Sequence, residues 1–177
     1  MPVFDYKRKA KSISYSSIPR ALHSVEGLVI HNTGSGGHDT AANNADYFAT
    51  GNERPAGAHI FIDYEGLTAF SIPLRRSAFA VGNPGGSYAP GSYYGKLNNT
   101  NTVSIELCAI DNRPISEAQR RSLLRIAKWV KKKCPNIKYI VRHYDIVKKD
   151  CPHYYVKDRK AWLNLQLDLL VAMSLRG

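Results

Sequence analysis

The chain has 177 residues, 44% of them apolar, which suggests one domain with a hydrophobic core of its own. Its 25 lysines and arginines outnumber its 14 aspartates and glutamates, so the formal charge at pH 7 is +11. The sequence contains no run of about 18 apolar residues, which excludes a helix that spans a membrane.

The cysteines and the N-terminal segment bear on where the protein is made. Cys108, Cys134 and Cys151 cannot form a complete disulfide framework. Residues 1–20 are basic and polar, without the apolar stretch of a secretory signal. We therefore expect synthesis in a reducing cytoplasm without a signal peptide, with Cys108 and Cys134 as unpaired structural residues.

The positive charge is concentrated in the second half of the chain. Residues 116–160 contain 14 lysines and arginines but only four acidic residues. This balance favours an anionic partner, which can be a nucleic acid, an acidic membrane or an anionic wall polymer. The alternative is that the basic residues within 120–133 are only the solvated face of a helix.

Apolar runs and turn residues divide the chain into alternating strands and helices. In the first half of the chain we predict a strand over 27–30, a helix over 41–50 that Asp39 or Thr40 can cap, and strands over 59–63 and 67–72 joined as a hairpin. In the second half we predict strands over 102–109 and 137–141 and helices over 116–133 and 158–173. The helix over 116–133 opens with a capping box of Ser116 and Gln119. The mixture predicts an α/β fold, a single domain with a mixed central β-sheet flanked by helices.

Two histidines and a cysteine suggest a metal site. His31 and His143 each follow a predicted strand, and Cys151 comes eight residues after His143. Strand ends and the loops after them are where functional sites are usually built. Two imidazoles and a thiolate suit Zn²⁺, and three protein ligands leave a fourth position open, as in catalytic zinc sites. The alternative is that the three residues are separate structural ones.

Two charged residues are candidates for catalysis. Glu106 interrupts an otherwise apolar strand, and a carboxylate is rarely buried without a partner. Period-two alternation places Val103, Ile105 and Leu107 on one face of this strand and Ser104, Glu106 and Cys108 on the other. An exposed edge strand would also explain Glu106, and Lys149, two residues before Cys151, can equally be a surface lysine.

These motifs together resemble the zinc-dependent N-acetylmuramoyl-L-alanine amidases of the type-2 amidase and peptidoglycan-recognition superfamily, and most of all phage endolysin catalytic domains. The resemblance covers about residues 25–165. The matching segments are Val29-Ile30-His31-Asn32-Thr33, Ala58-His59-Ile60-Phe61-Ile62-Asp63, Ser104-Ile105-Glu106-Leu107-Cys108, and Arg142-His143 with Lys149-Asp150-Cys151-Pro152-His153.

The resemblance implies roles for individual residues. His31, His143 and Cys151 match the zinc ligands, and Glu106 and Lys149 match catalytic positions of the endolysin branch. Many relatives carry a catalytic tyrosine before the residue that matches His59, whereas this chain has Ala58, which shifts the catalytic role to Glu106. His153 is expected to be a neighbour of the ligands and not a ligand itself.

The implied activity is hydrolysis of the amide bond between N-acetylmuramic acid and L-alanine in bacterial peptidoglycan, after release from the host cytoplasm to the cell wall. We expect the loops over 32–39 and 82–102 to line the substrate groove. Asn32, Thr33 and His59 are candidate substrate-binding residues, although His59 can instead be packed in the hairpin.

Two other classes of function stay open. One is a peptidoglycan-binding module without catalysis, and the other is a nucleic-acid binder, for which the sequence has no recognition motif. We further expect the basic surface to attract anionic wall polymers, so that wall binding weakens with salt. Glutamine at Lys131, Lys132 and Lys133 should then lower affinity for the wall.

Overall fold

The structure is a computed structural model that describes residues 3–34, 39–82 and 84–174. Its strands are β1 (Tyr6–Lys7), β2 (Gly27–Asn32), β3 (Ile60–Ile62), β4 (Thr68–Phe70), β5 (Thr102–Leu107) and β6 (Tyr139–Arg142). They form one sheet in the order β1-β4-β3-β5-β2-β6. Only the β3–β4 hairpin is antiparallel among these pairs, so the sheet is mixed and the predicted α/β class is confirmed.

Helices lie on both sides of this sheet. They are α1 (Ala41–Asp46), α2 (Glu117–Lys133), α3 (His143–Ile146), α4 (His153–Lys157) and α5 (Arg159–Ser174). The two long helices, α2 and α5, contact each other and pack on the sheet face that carries the largest apolar cluster. The apolar side chains of α1 pack on Phe61 and Cys108, which face the other way.

The alternation predicted for residues 102–109 is present in β5. Val103, Ile105 and Leu107 belong to the core beneath α2 and α5. In the neighbouring parallel strand β2, His31 is the register partner of Glu106. Because register partners point to the same side of a sheet and neighbouring strands lie about 4.8 Å apart, His31 and Glu106 project together from the face opposite α2 and α5.

Several boundaries differ from the prediction. His31 and Asn32 still belong to β2, because that strand pairs with β5 over its whole length. The helix predicted over 41–50 is α-helical only to Asp46 and continues as a wider π-type turn over Tyr47–Gly51. Thr40 is its cap, since its side chain accepts the N–H of Asn43. Strand β1 and helices α3 and α4 were not predicted; they have two, four and five residues, and none of the three is marked by an apolar run or a helical period.

Only half of the predicted capping box is formed. Ser116 accepts the N–H of Gln119, but the side chain of Gln119 does not return to Ser116. It is fully buried and donates instead to the carbonyl oxygens of Ile62 and Cys108, at 2.8 and 3.0 Å. This side chain therefore ties the first turn of α2 to the ends of β3 and β5.

The basic residues of α2 do not all project into solvent. Lys131 donates from Nζ to the carbonyl oxygens of Pro135 and Ile137, both at 2.7 Å, and so holds the turn that leads into β6. Replacing Lys131 would disturb this turn as well as the surface charge. The triple replacement at 131–133 is therefore a poor test of charge alone, and Arg121, Lys128 and Lys132 are better positions.

The structure also bears on the state of the cysteines and on a possible membrane-spanning helix. Cys108, Cys134 and Cys151 are all buried and free. Within the ranges that the structure describes, no helix combines the length and the apolar character needed to cross a bilayer.

Candidate active site

The three candidate metal ligands converge at the carboxyl end of the sheet. His31 lies near the end of β2, His143 begins α3 directly after β6, and Cys151 lies in the segment before α4. Their ligand atoms lie within 4.8 Å of one another, and Nδ1 of His31 is 3.8 Å from Sγ of Cys151. Because β2 and β6 are parallel neighbours, their carboxyl ends bring the two histidines together.

The protonation of these residues suits a metal as well. Burial, and then the neighbouring His143 and Lys149, hold the pKa of His31 well below its usual value. Burial and Lys149 lower the pKa of His143 to about 4. Both imidazoles are therefore neutral at pH 7, the form that binds metal. Burial and then Glu106 raise the pKa of Cys151 to about 12, so its thiol must lose a proton when a metal binds.

The buried nitrogens of the cluster provide a test of whether a metal fits. Nε2 of His31 and both ring nitrogens of His143 are inaccessible and have no hydrogen-bond partner among the residues described. A buried polar atom without a partner costs about 1–3 kcal/mol. A metal ion bound to one ring nitrogen of each histidine and to the Cys151 sulfur would give His143 a partner for one of its two nitrogens, and two imidazoles with one thiolate suit Zn²⁺.

Glu106 lies beside the cluster and has the properties of a proton acceptor. Its Oε2 is inaccessible and has no hydrogen-bond partner in the described parts of the chain. Burial raises its pKa to about 7, Lys149 opposes this rise, and Asp39 adds to it. A carboxyl group with this pKa can both accept and release a proton near neutral pH. The alternative of a solvated edge-strand position does not hold, because β5 lies between β3 and β2.

Lys149 is the cationic neighbour of the site. Its side chain is exposed, yet its charge lowers the pKa values of Glu106, His31 and His143. Its carbonyl oxygen accepts the N–H of Cys151 at 2.8 Å, which places the residue next to a candidate metal ligand. The structure therefore brings His31, His143, Cys151 and Glu106 together, with the backbone of Lys149 bound to that of Cys151.

Asn32 positions ligands and does not present a free side chain. Its backbone N–H points at Sγ of Cys151, at 3.4 Å. Its side chain donates to Asp111 and accepts the N–H of His153 at 2.9 Å. His153 is paired with Asp150 and lies outside the metal cluster, as the sequence predicted.

Thr33 is similarly engaged by Asp39. Asp39 is almost fully buried, accepts from the Thr33 hydroxyl, and accepts from Nδ2 of Asn44 at 2.6 Å. It also accepts the N–H of Ala109 at 2.7 Å, where Ala109 has a left-handed φ of 58°. Asp39 therefore fixes the turn three residues after Glu106. From the sequence alone, Asp39 was expected only as a possible helix cap. Residues 35–38 of the predicted loop lie outside the described residues.

The loop over 82–102 is docked beside the histidine ligands. The N–H of Gly91 donates to the carbonyl oxygen of Ile146 at 3.0 Å. A Cβ at Gly91 would meet the carbonyl oxygen of Asp145 at 2.4 Å, so only glycine allows this approach. Of two tyrosines in this loop, Tyr93 packs in a small apolar cluster with part of its surface covered, while Tyr94 is 57% exposed.

The family is decided by comparison with known sequences. The profile of a family described as N-acetylmuramoyl-L-alanine amidase matches residues 21–154, a range that contains every residue of the cluster. The chain belongs to this amidase family. The resemblance seen in the sequence is thereby confirmed.

Individual relatives agree with this assignment. The amidase chain is 29% identical to the N-acetylmuramoyl-L-alanine amidase CwlL of Bacillus licheniformis over 157 residues, which are 86% of this chain and 42% of the relative. It therefore spans about two fifths of the length of that relative. Among solved structures, the PlyG catalytic domain has a TM-score of 0.71 at 18% identity, covering 97% of this chain and 96% of its own. AmpD has a TM-score of 0.62 at 21% identity, covering 92% and 95%. Both likenesses concern the fold.

The alanine that departs from the family pattern is buried in this amidase. Ala58 is 1% exposed and packs with Phe61 and the alanines of α1. It therefore offers no group to the metal cluster.

His59 of the amidase is packed and not open to substrate. It is 1% exposed, its Nδ1 accepts the N–H of Ser104 at 3.1 Å, and its Nε2 lies 3.0 Å from the carbonyl oxygen of Arg76. The guanidinium of Arg20 lies 3.0 Å from the same nitrogen. The structure thus favours the packed alternative, and the candidate role in substrate binding is not supported.

We expect this packed histidine to make the amidase sensitive to acid. Burial and then Arg20 lower the pKa of His59 to about 3, whereas an unfolded histidine has a pKa near 6.5. The unfolded state therefore takes up the proton first, and stability falls from pH 6.5 downward by about 1.4 kcal/mol per pH unit. His59→Gln keeps a hydrogen-bond donor and an acceptor in the side chain but cannot take up a proton, so it should lack this part of the slope.

Urea denaturation of both proteins between pH 7 and pH 4 measures the difference. Other titrating groups contribute equally to the wild type and the variant. The free energy of unfolding of the wild type should therefore fall more steeply with decreasing pH, by about 1.4 kcal/mol per pH unit. Parallel curves would show that His59 does not titrate in this window.

Proposed function

We propose that this chain is a zinc-dependent N-acetylmuramoyl-L-alanine amidase that hydrolyses the bond between N-acetylmuramic acid and L-alanine in peptidoglycan. The observation that carries the proposal is the cluster of His31, His143 and Cys151 with Glu106 beside it. Family membership, the donor set and the unpaired buried nitrogens support the same conclusion. We also propose that residues 1–177 form one catalytic domain with its core at about 25–165.

An amide needs help at both ends of the reaction, because its carbonyl is a weak electrophile and its nitrogen a poor leaving group. Zn²⁺, when bound by His31, His143 and Cys151, supplies a Lewis acid for the carbonyl and lowers the pKa of water to about 7. Glu106 takes the proton of the attacking water on its free Oε2 and delivers it to the departing amine of L-alanine.

The remaining residues hold this arrangement. The ammonium of Lys149 stabilises the negative charge that develops on the carbonyl oxygen. The N–H of Asn32 orients the Cys151 sulfur, and Asp39 fixes the end of β5 beyond Glu106. The exposed Tyr94 in the docked loop is available for stacking on a sugar ring.

The substrate and its setting follow from the same proposal. The partner is bacterial peptidoglycan, with anionic wall polymers attracted by the net charge of +11. The protein would be made in the host cytoplasm and act on the wall after release. Specific nucleic-acid recognition is not part of the proposal.

A digest of purified peptidoglycan tests the bond that is cut. We expect mass spectrometry to find stem peptides with a free L-alanine amine and glycan strands with intact lactyl groups. The matched control is Glu106→Gln, which should release the same products at least about 100-fold more slowly. New reducing sugar ends or cleavage within the stem peptide would contradict the proposal, and binding without any cleavage would favour a binding module.

A further inference from the structure

Helix α5 exposes an apolar ridge on the side that faces away from the sheet. Its buried side is formed by Trp162, Leu165 and Leu169. The outward side carries four large apolar residues that are 44–60% exposed, and we call them the α5 ridge: Leu163, Leu167, Leu170 and Val171. Their spacing of four, three and one residues keeps them on one side of the helix. Contiguous exposed apolar surface on a soluble protein usually marks an interaction site.

Helix α2, next to it, exposes a row of basic residues. We call Arg121, Lys128 and Lys132 the α2 stripe; they are separated by seven and four residues and are exposed. None of them has an ion-pair or hydrogen-bond partner in the part of the chain that the structure describes. The two helices together carry nine basic and two acidic residues. Both acidic residues pair with Arg120, so neither acid of these two helices is free to offset the stripe.

The α5 ridge and the α2 stripe belong to one surface. Both helices cover the same face of the sheet, and Arg120 on α2 bridges to Asp168 on α5 at 2.8 Å. Their outward sides therefore point in the same direction. His31 and Glu106 project from the opposite face of the sheet, so a partner held on this surface would leave the metal cluster open.

The chemistry of this surface selects among possible occupants. An anionic polymer or a nucleic acid would bind the α2 stripe but would leave the four aliphatic side chains of the α5 ridge exposed to water. A second copy of the chain would bury the ridge but bring two cationic stripes close together. An anionic phospholipid surface satisfies both features, since its headgroups attract the cations and its acyl boundary accepts the aliphatic side chains.

We propose that the α2–α5 surface docks this protein on anionic phospholipid membranes as a peripheral contact. The proposal is independent of the amidase activity, because none of these residues belongs to the metal cluster. The positive charges supply long-range attraction, and the ridge inserts at the headgroup boundary once contact is made. Salt should weaken the attraction of the basic residues to the headgroups but not the insertion of the α5 ridge.

Sedimentation with lipid vesicles tests the proposal. The vesicles contain phosphatidylcholine alone or with 30 mol% phosphatidylglycerol, and the metal-loaded protein is used. Wild type should bind only the anionic vesicles. Arg121→Gln/Lys128→Gln/Lys132→Gln should bind about 100-fold more weakly, at about fivefold per basic residue near the surface. The matched control is Lys7→Gln/Lys9→Gln/Arg54→Gln, which removes the same charge elsewhere and should stay within about threefold of wild type.

A second variant tests the ridge. Leu163→Gln/Leu167→Gln/Leu170→Gln should bind anionic vesicles at low salt and be released in 0.5 M NaCl, where part of the wild type stays bound. Thermal unfolding checks that each variant is folded, and sedimentation velocity measures its oligomeric state. Equal retention of this variant and wild type, equal effects of the two charge variants, or equal binding to neutral vesicles would each overturn the proposal. A wild-type dimer that becomes a monomer in the ridge variant would assign the ridge to a second copy instead.

Discussion

We expect His31→Ala and Cys151→Ser to lose bound zinc and to lose more than about 100-fold of the activity on cell walls. Residues that only support metal ligands already account for 10–100-fold in affinity or activity, so removing a ligand should have a larger effect. Each replacement leaves two of the three donors that lie within 4.8 Å of one another. Two donors do not complete the three-ligand arrangement of a catalytic zinc site.

Metal analysis of the purified variants, together with the loss of turbidity of a cell-wall suspension, measures both effects. His153→Ala is the matched control, because His153 lies two residues from Cys151 but is paired with Asp150 outside the cluster. It should retain its zinc. Full zinc occupancy in both ligand variants would show that the metal is held elsewhere or that these residues are structural.

We expect Glu106→Gln to keep its zinc and its fold but to hydrolyse the amide about 10²–10⁴-fold more slowly. This factor is the usual contribution of general acid–base catalysis. Glutamine has nearly the same shape but cannot accept the proton of water. Because Oε2 of Glu106 has no hydrogen-bond partner among the described residues, little structural support is lost with the charge.

Turnover of a soluble muropeptide and metal content are the measurements for this variant. Glu117→Gln is the matched control, since it makes the same chemical change on the exposed surface of α2. The control should keep its rate. If Glu106→Gln stays within about threefold of wild type, Glu106 is a structural carboxylate, and Lys149 becomes the candidate for proton transfer.

The sequence predicted those parts of the molecule that depend on local pattern. Alternation along residues 102–109 placed Glu106 on the face away from the core, because a strand repeats every two residues. His31 and His143 each follow an apolar run, which indicated a site at the strand ends, whereas the parallel pairing of β2 and β6 that brings them together is seen only in the structure. The resemblance to a family supplied the ligand set, which the spacing of three residues alone left open.

What the sequence did not predict depends on contacts between distant segments. Asp39 accepts the N–H of Ala109, which is 70 residues away in the chain, and the pattern of apolar residues along the sequence does not predict this contact. Gln119 was expected to complete a local capping box but is recruited by the ends of two strands. His59 fitted either a substrate role or a packed one, and only the approach of Ser104 and Arg76 distinguishes the two.

The docking of the long loop has a consequence for how this scaffold can be altered. The loop is attached at residues 80–81 and again at residue 89. The side chain of Asn99 accepts the N–H groups of Ala80 and Val81, and the carbonyl oxygen of Ala89 accepts the N–H of Lys148 at 2.8 Å. Closing a somewhat longer loop between two fixed ends costs little free energy. We therefore expect short insertions between Val81 and Ala89 to leave both attachments in place, while Gly91 continues to hold the chain against the turn that carries His143.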